Sequence, residues 1–262
     1  QILQSLPQAI QTMLDPAECG PACLSLCQDV QGETFDYPEE FFKERIHNIR
    51  RPRPDDFQIK QAVEKIKNSK KPIIISGGGV FYSDAMDELG NFAIKHNIPV
   101  TQTVMGYSTM KKDHSHFVGP IGGLGGKAAN NLAKETDLAI CIGTKLADFT
   151  TGSWANFENP EFKLVSINIA RHDANKHLAE AVIGDAKVTL TELSNAIGDW
   201  KSSDSWHKKS QVELKSWNEY VDKESGPTNQ ELPSYAHAVG AIYRNSDPTD
   251  IAVTAAGGLV GE

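Results

Sequence analysis

Glycine is concentrated where backbone could approach an anion. Gly77-Gly78-Gly79 closes a short apolar run, and Gly119-Pro120-Ile121-Gly122-Gly123-Leu124-Gly125-Gly126 is the densest glycine stretch of the chain. Gly143-Thr144 opens a third such segment, running to Gly152, and Asn168-Ile169-Ala170-Arg171-His172-Asp173 forms a fourth. Lacking a Cβ, glycine tolerates φ > 0 and lets main-chain N–H groups come close to a phosphate. Each motif nevertheless departs from a known fingerprint. Tyr82 stands where a dinucleotide motif starting at Gly77 needs its third small residue. Gly123-Leu124-Gly125-Gly126-Lys127-Ala128 fits G-x-G-x-x-A at a helix start, but reads as following a long loop rather than a strand. Ile121 and Ala128 occupy the Gly and Ser/Thr positions that a P-loop ending in Gly126-Lys127 requires. Taken singly, each cluster reads equally well as a tight turn or a phosphate cradle.

Other reactive side chains give weaker patterns. Cys19, Cys23 and Cys27 recur every four residues, but no second ligand pair follows, so they read as buried, inert thiols rather than a metal site. His114 and His116 read as solvated loop residues, and Trp200, Trp206 and Trp217 as helix packing. No serine nucleophile elbow, HExxH or paired acid–base motif occurs, so no catalytic residue is expected within this chain, nor a metal site.

The elements that would position the glycine loops alternate regularly. Helical stripes are expected at about 3–14, 83–96, 126–134 and 188–197, and another is carried by Ile59, Val63 and Ile66 with Asp55 or Asp56 as its N-cap. Apolar runs at 72–76, 99–103, 137–142, 162–169 and 181–183 read as strands, with a further short strand at 22–26. Continuous apolar strands separated by helices predict a doubly wound, mainly parallel α/β sheet covered on both faces. In such a sheet the loops at the carboxyl ends of the strands form the ligand crevice. Gly77, Gly78, Gly79, Gly122, Gly123, Gly143 and Thr144 would then line a nucleotide-sized cleft for FAD or ADP, or pack against another domain.

Residues 31–56 are rich in Pro, Arg and acidic side chains and read as an extended linker. Residues 201–231 read as a helical linker, and 232–262 as a helix (233–243), a strand (250–254) and the turn Ala255-Ala256-Gly257-Gly258-Leu259. The chain opens without Met inside an amphipathic pattern and stops at Gly261-Glu262 just past an apolar run, which predicts a piece of a longer protein. Twenty-six basic against 34 acidic residues, a net charge of −8, argue against a nucleic-acid partner. No apolar run reaches membrane-spanning length, and four cysteines in 262 residues suggest a reduced, cytoplasmic protein.

The order of segments resembles the thiamin-diphosphate enzymes of the acetolactate synthase group. The residues that carry the likeness are Gly20-Pro21, Asp29-Val30, Lys70-Lys71-Pro72-Ile73-Ile74-Ile75-Ser76-Gly77, Thr103-Val104-Met105-Gly106, Asp137-Leu138-Ala139-Ile140-Cys141-Ile142-Gly143 and Gly184-Asp185-Ala186. The resemblance covers essentially the whole chain. It implies the end of a pyrimidine-binding domain at 1–30, a linker at 31–56, a six-stranded central domain at 57–200, and the start of a diphosphate-binding domain at 232–262. Asp15-Pro16-Ala17-Glu18-Cys19-Gly20-Pro21, Phe35-Asp36-Tyr37-Pro38-Glu39 and Thr254-Ala255-Ala256-Gly257-Gly258-Leu259 are similar to a branch of that group. Members of the branch open trihydroxycyclohexane-1,2-dione to 5-deoxyglucuronate in inositol catabolism. For the intact protein the resemblance implies thiamin diphosphate and Mg²⁺ as cofactors, a cyclic dione substrate and a homo-oligomer, dimer or tetramer. Ala256, Gly257, Gly258 and Leu259 would lie near the cofactor, while the other cofactor groups would lie beyond both ends of this chain. Asn168 replaces an Asp of the FAD-binding relatives, which weakens an FAD site here.

Overall fold

The computed structural model describes residues 1–247, 249–253 and 257. It opens with α1 (Ile2–Leu14). Residues 15–55 then hold only two short 3₁₀ turns, Val30–Gly32 and Glu39–Phe42. The strand expected at 22–26 does not form: these residues are exposed and unpaired. An extended apolar run becomes a strand only beside a neighbour that takes up its N–H and C=O groups. The six described strands pair only with one another. Cys19, Cys23 and Cys27 lie on this segment and are exposed, which corrects their reading as buried thiols; Cys141 alone of the four is buried.

The α/β unit begins at α2 (Asp56–Asn68), whose N-cap Asp55 accepts from the Phe57 N–H at 2.8 Å. Then come β1 (Pro72–Ser76), α3 (Gly78–Tyr82), α4 (Met86–His96), β2 (Val100–Gln102), β3 (Phe117–Pro120), α5 (Lys127–Glu135) and β4 (Leu138–Ile142). After these stand α6 (Asp148–Thr151), β5 (Lys163–Asn168), α7 (Arg171–Ala174), β6 (Glu180–Ile183), α8 (Ala186–Ile197), α9 (Asp204–Glu224) and α10 (Tyr235–Asn245). The helix expected over 83–96 is α4, beginning at Met86, and a separate short helix, α3, precedes it. Asp84 sits at φ +53 between them, a left-handed conformation that Asp tolerates and a continuous helix cannot contain. β3 is not visible as a strand in the sequence: it offers only Phe117-Val118 before Gly119-Pro120, a composition suited to a sheet edge. The glycines of 119–126 therefore do follow a strand. Residues 250–253 form no strand, and Ala256, Gly258 and Leu259 lie outside the described residues.

The six strands form one parallel sheet in the order β3-β2-β1-β4-β5-β6, as the α/β expectation requires. Alternate side chains of each strand face opposite layers. Ile74, Ile140, Ile142, Val165, Ile167 and Val182 pack against α2, α4 and α8 through Ile66, Leu89, Phe92, Leu190 and Leu193. Ile73, Ile75, Ala139, Cys141 and Leu164 pack against α5 and α9 through Leu132, Ala133 and Trp206. Burial on both faces explains the uninterrupted apolar strands, each large aliphatic contributing about 1.5–3 kcal/mol. Trp206 is 3% exposed and donates from Nε1 to the Pro72 carbonyl at 2.8 Å, so α9 is fastened to the sheet. The tryptophans do pack helices: Trp200 and Trp217 lie against the two halves of the core.

The end of the linker is tied down as well. The Asp185 N–H donates to Pro52 O at 2.9 Å, and Arg51 Nη1 reaches the Asp185 carboxylate at 3.0 Å. Asp185 also caps α8, accepting from Lys187 N and Val188 N.

Candidate functional site

Because every strand is parallel, the loops after β1, β2, β3, β4 and β5 all emerge at the carboxyl edge. The order of strands reverses at β1 and β4, so the Gly77 and Gly143 loops stand side by side at the switch point, where such sheets bind ligands. The expected glycines are thus brought together, and very closely. A Cβ on Gly77 would lie 2.4 Å from Gly143 O, and one on Gly79 would lie 2.6 Å from Gly143 Cα. Gly143 itself has φ +61. On the other side of β1, a Cβ on Gly106 would lie 2.2 Å from Ser76 O.

These contacts use the N–H groups that a phosphate would need. Gly77 N donates to Ile142 O at 2.8 Å, Gly79 N to Gly143 O at 3.0 Å, and Gly143 N to Ile167 O at 2.8 Å. Gly122 and Gly123 meet the β4 loop: Gly123 N donates to Phe149 O at 2.7 Å, and Gly122, at φ +109, lies too close to Phe149 O for a side chain. Asn130 clamps the same turn, accepting from Gly122 N at 2.9 Å and donating to Gly122 O at 3.0 Å. Gly125 N and Gly126 N donate to Gly122 O and Pro120 O. Thr144 O accepts from Asn168 Nδ2 at 3.2 Å, and Asn168 Oδ1 accepts from Ala170 N at 2.9 Å. Asn168 therefore bridges two loops, the place where a ribose-binding carboxylate would stand in a dinucleotide fold.

Side chains that sequence reasoning does not single out complete the edge. Ser76 Oγ donates to Thr101 O at 3.0 Å and lies 2.8 Å from Thr109 Oγ1, which donates to Gly106 O at 2.7 Å. This buried hydroxyl chain fixes the β2 loop, and single hydroxyl residues carry no pattern by which to find it. Around the rim stand exposed apolar side chains: Phe81, Tyr82, Met105, Tyr107 and Phe149. The edge is thus a close-packed backbone floor ringed by exposed aromatic and apolar groups. It carries no nucleophile–base pair. Burial pushes the Cys141 thiol well up, so it stays protonated and inert.

The ends add little to this edge. Gly257 is exposed with open space where a Cβ would stand, and its neighbours Ala256, Gly258 and Leu259 fall outside the described residues. Among the described residues no group of three His, Cys, Asp or Glu could hold a metal ion. No helix among them is long and apolar enough to cross a membrane. Neither Mg²⁺ nor a diphosphate finds a prepared set of ligands on these residues, and no reaction step is assigned to them.

Residues 59–193 match the profile of the thiamine pyrophosphate enzyme central domain. A 3D-(3,5/4)-trihydroxycyclohexane-1,2-dione hydrolase of Clostridium perfringens is 37% identical over 285 residues, covering 100% of this chain and 45% of the relative. A Clostridium botulinum protein of the same name is 45% identical over 193 residues, covering 74% of this chain and 30% of the relative. One from Bacillus licheniformis is 36% identical, covering 100% of this chain and 45% of the relative. The chain spans less than half the length of these relatives.

Proposed function

Because the chain belongs to the thiamine pyrophosphate enzymes, as their central domain, we propose that the protein it represents is a thiamin-diphosphate-dependent C–C bond hydrolase that opens trihydroxycyclohexane-1,2-dione. The observation that carries this is identity of 36–37% across the entire chain to hydrolases bearing that substrate's name. The role we assign to 57–200, with α9 packed on it, is that of a scaffold, with residues 1–30 and 232–262 belonging to the flanking pyrimidine- and diphosphate-binding domains. Mg²⁺, a homo-oligomeric state and a cytoplasmic location belong to the same reading.

The test is turnover by the full-length protein. Consumption of the cyclic dione with release of an acid, dependent on added thiamin diphosphate, supports the proposal. Carboligation of pyruvate in its place would make the protein an acetolactate-synthase-like enzyme. The 262-residue chain by itself is expected neither to turn over substrate nor to bind thiamin diphosphate. Saturable micromolar binding in calorimetry would overturn the scaffold role.

A nucleotide-binding role for the carboxyl edge is the second reading, favoured by the convergence of four polar loops at the sheet's switch point. The engaged N–H groups of Gly77, Gly79, Gly123 and Gly143 weigh against it. A ligand at about 100 times its Kd adds about 2.7 kcal/mol of stability. A thermal shift with FAD or ADP at millimolar concentration, or yellow colour on purification, would therefore establish it.

A further inference from the structure

His114, His116 and His207 meet away from the glycine edge, where the loop entering β3, the end of α4 and the first turn of α9 come together. His116 is 7% exposed. Its ring stacks on His207 with centroids 4.2 Å apart and planes 20° apart, and the His114 ring lies 5.8 Å from it. Asn97, the C-cap of α4, knits the three elements: its Oδ1 lies 3.2 Å from His116 Nε2, and its Nδ2 donates to Ser202 O and to Asp204. His116 N donates to His114 Nδ1 at 3.2 Å, which requires that nitrogen to be unprotonated. His207 Nδ1 is buried without a partner.

Burial, more than the surrounding charges, opposes a proton here. Asp113 favours one on His114 and Asp204 favours one on His207, while only the other two imidazoles act on His116. Lys95 and Lys201 act against a proton on neighbouring His96. Burial outweighs the carboxylates, so all three imidazoles of the joint lie below their ordinary value, His116 at about 4. Protonation of both stacked rings would place like charges on imidazoles whose centroids are 4.2 Å apart in a half-dry joint.

We propose that this three-imidazole joint is an acid-sensitive latch fastening the start of α9 to the β3 edge of the sheet. Well above pH 6.5 the rings are neutral both in the closed joint and once released, and the latch holds fully. As pH falls below 6.5 the released form takes up protons that the closed form refuses, so opening grows until His116 itself titrates near 4. With those two values, His116 alone raises the opening constant about twentyfold between pH 7.0 and 5.0.

Hydrogen exchange at pH 7.0 and 5.0, corrected for intrinsic rates, reads this directly on amides 205–212 and 114–118. The opening constant should rise at least twentyfold on acidification. His116→Gln should reduce that rise by about twentyfold, and His207→Gln should reduce it as well. His47→Gln, at an exposed position, should leave it unchanged. An unchanged rise in the His116 and His207 variants would overturn the proposal. So would an equal rise in the amides of β4, which would mean that acid loosens the whole fold rather than this joint. Should His116→Gln fail to fold, the His207 variant and the α9-against-β4 comparison still decide.

Discussion

Gly77→Ala separates the two uses a glycine can have at the carboxyl edge. If Gly77 is there to admit a phosphate, an added methyl costs the unliganded protein almost nothing. If it is there for close packing, the cost appears without any ligand. The new Cβ would stand 2.4 Å from Gly143 O and 2.6 Å from Thr144 Cβ. Ordinary contact begins near 3.4 Å, so one of the two loops must move by about 1 Å. The atoms it meets are not free to do so: Gly77 N and Gly79 N are bonded to Ile142 O and Gly143 O, at 2.8 and 3.0 Å. Overpacking of this kind costs about 1–3 kcal/mol, and a weakened main-chain hydrogen bond adds roughly 0.5–1.5. A loss of about 3 kcal/mol is expected, roughly 6–12 °C in Tm for a chain of this size. Gly78→Ala is the internal control, because the atoms nearest its Cβ all belong to Met105, the carbonyl oxygen at 3.0 Å, on an exposed loop that can give way; it should cost less than about 1 kcal/mol. Urea denaturation of both variants, with the m-value checked against wild type, gives the answer. A Gly77→Ala loss under about 1 kcal/mol with an unchanged m-value would refute the packing argument.

Other substitutions probe the contacts that hold the layers together. Trp206→Phe keeps the buried ring but leaves the Pro72 carbonyl without its donor, and should cost about 1–3 kcal/mol by chemical denaturation. Arg51→Met removes the partner of a carboxylate that is 4% exposed yet still caps α8, so a loss of roughly 1–2 kcal/mol should come with faster trypsin cleavage at Arg45 and Arg50. Under native conditions a thiol reagent should modify Cys19, Cys23 and Cys27, and reach Cys141 only on unfolding. Fast modification of Cys141 in the folded protein would contradict its place beneath α5.

The parts of the fold that are legible in the sequence are those with strong, local signals. Ile73-Ile74-Ile75 and Leu138–Ile142 are apolar without interruption because both faces are covered, and that pattern survives in any single sequence. The Asp55 cap is equally readable, being a contact between near neighbours. β3 is not, since its strand character comes from pairing with Val100 and Gln102 rather than from its own composition. The 22–26 segment fails in the opposite direction: its composition suits a strand, but no neighbour pairs with it. The sequence around His116 suggests a solvated loop residue, yet the ring is buried, because what covers it is Asn97 and His207, distant in sequence.

Sequence alone determined that this is a doubly wound α/β unit with glycine-rich loops at its strand ends, because alternation and punctuation are properties of short stretches. Tertiary structure alone decided what those glycines do. Gly77 and Gly143 are far apart in the chain, and only the parallel pairing of β1 with β4 sets one loop's backbone into the space where the other's side chain would be. A glycine spared for a ligand and a glycine spared for a neighbouring loop look the same in sequence, because the difference lies in what occupies the missing Cβ.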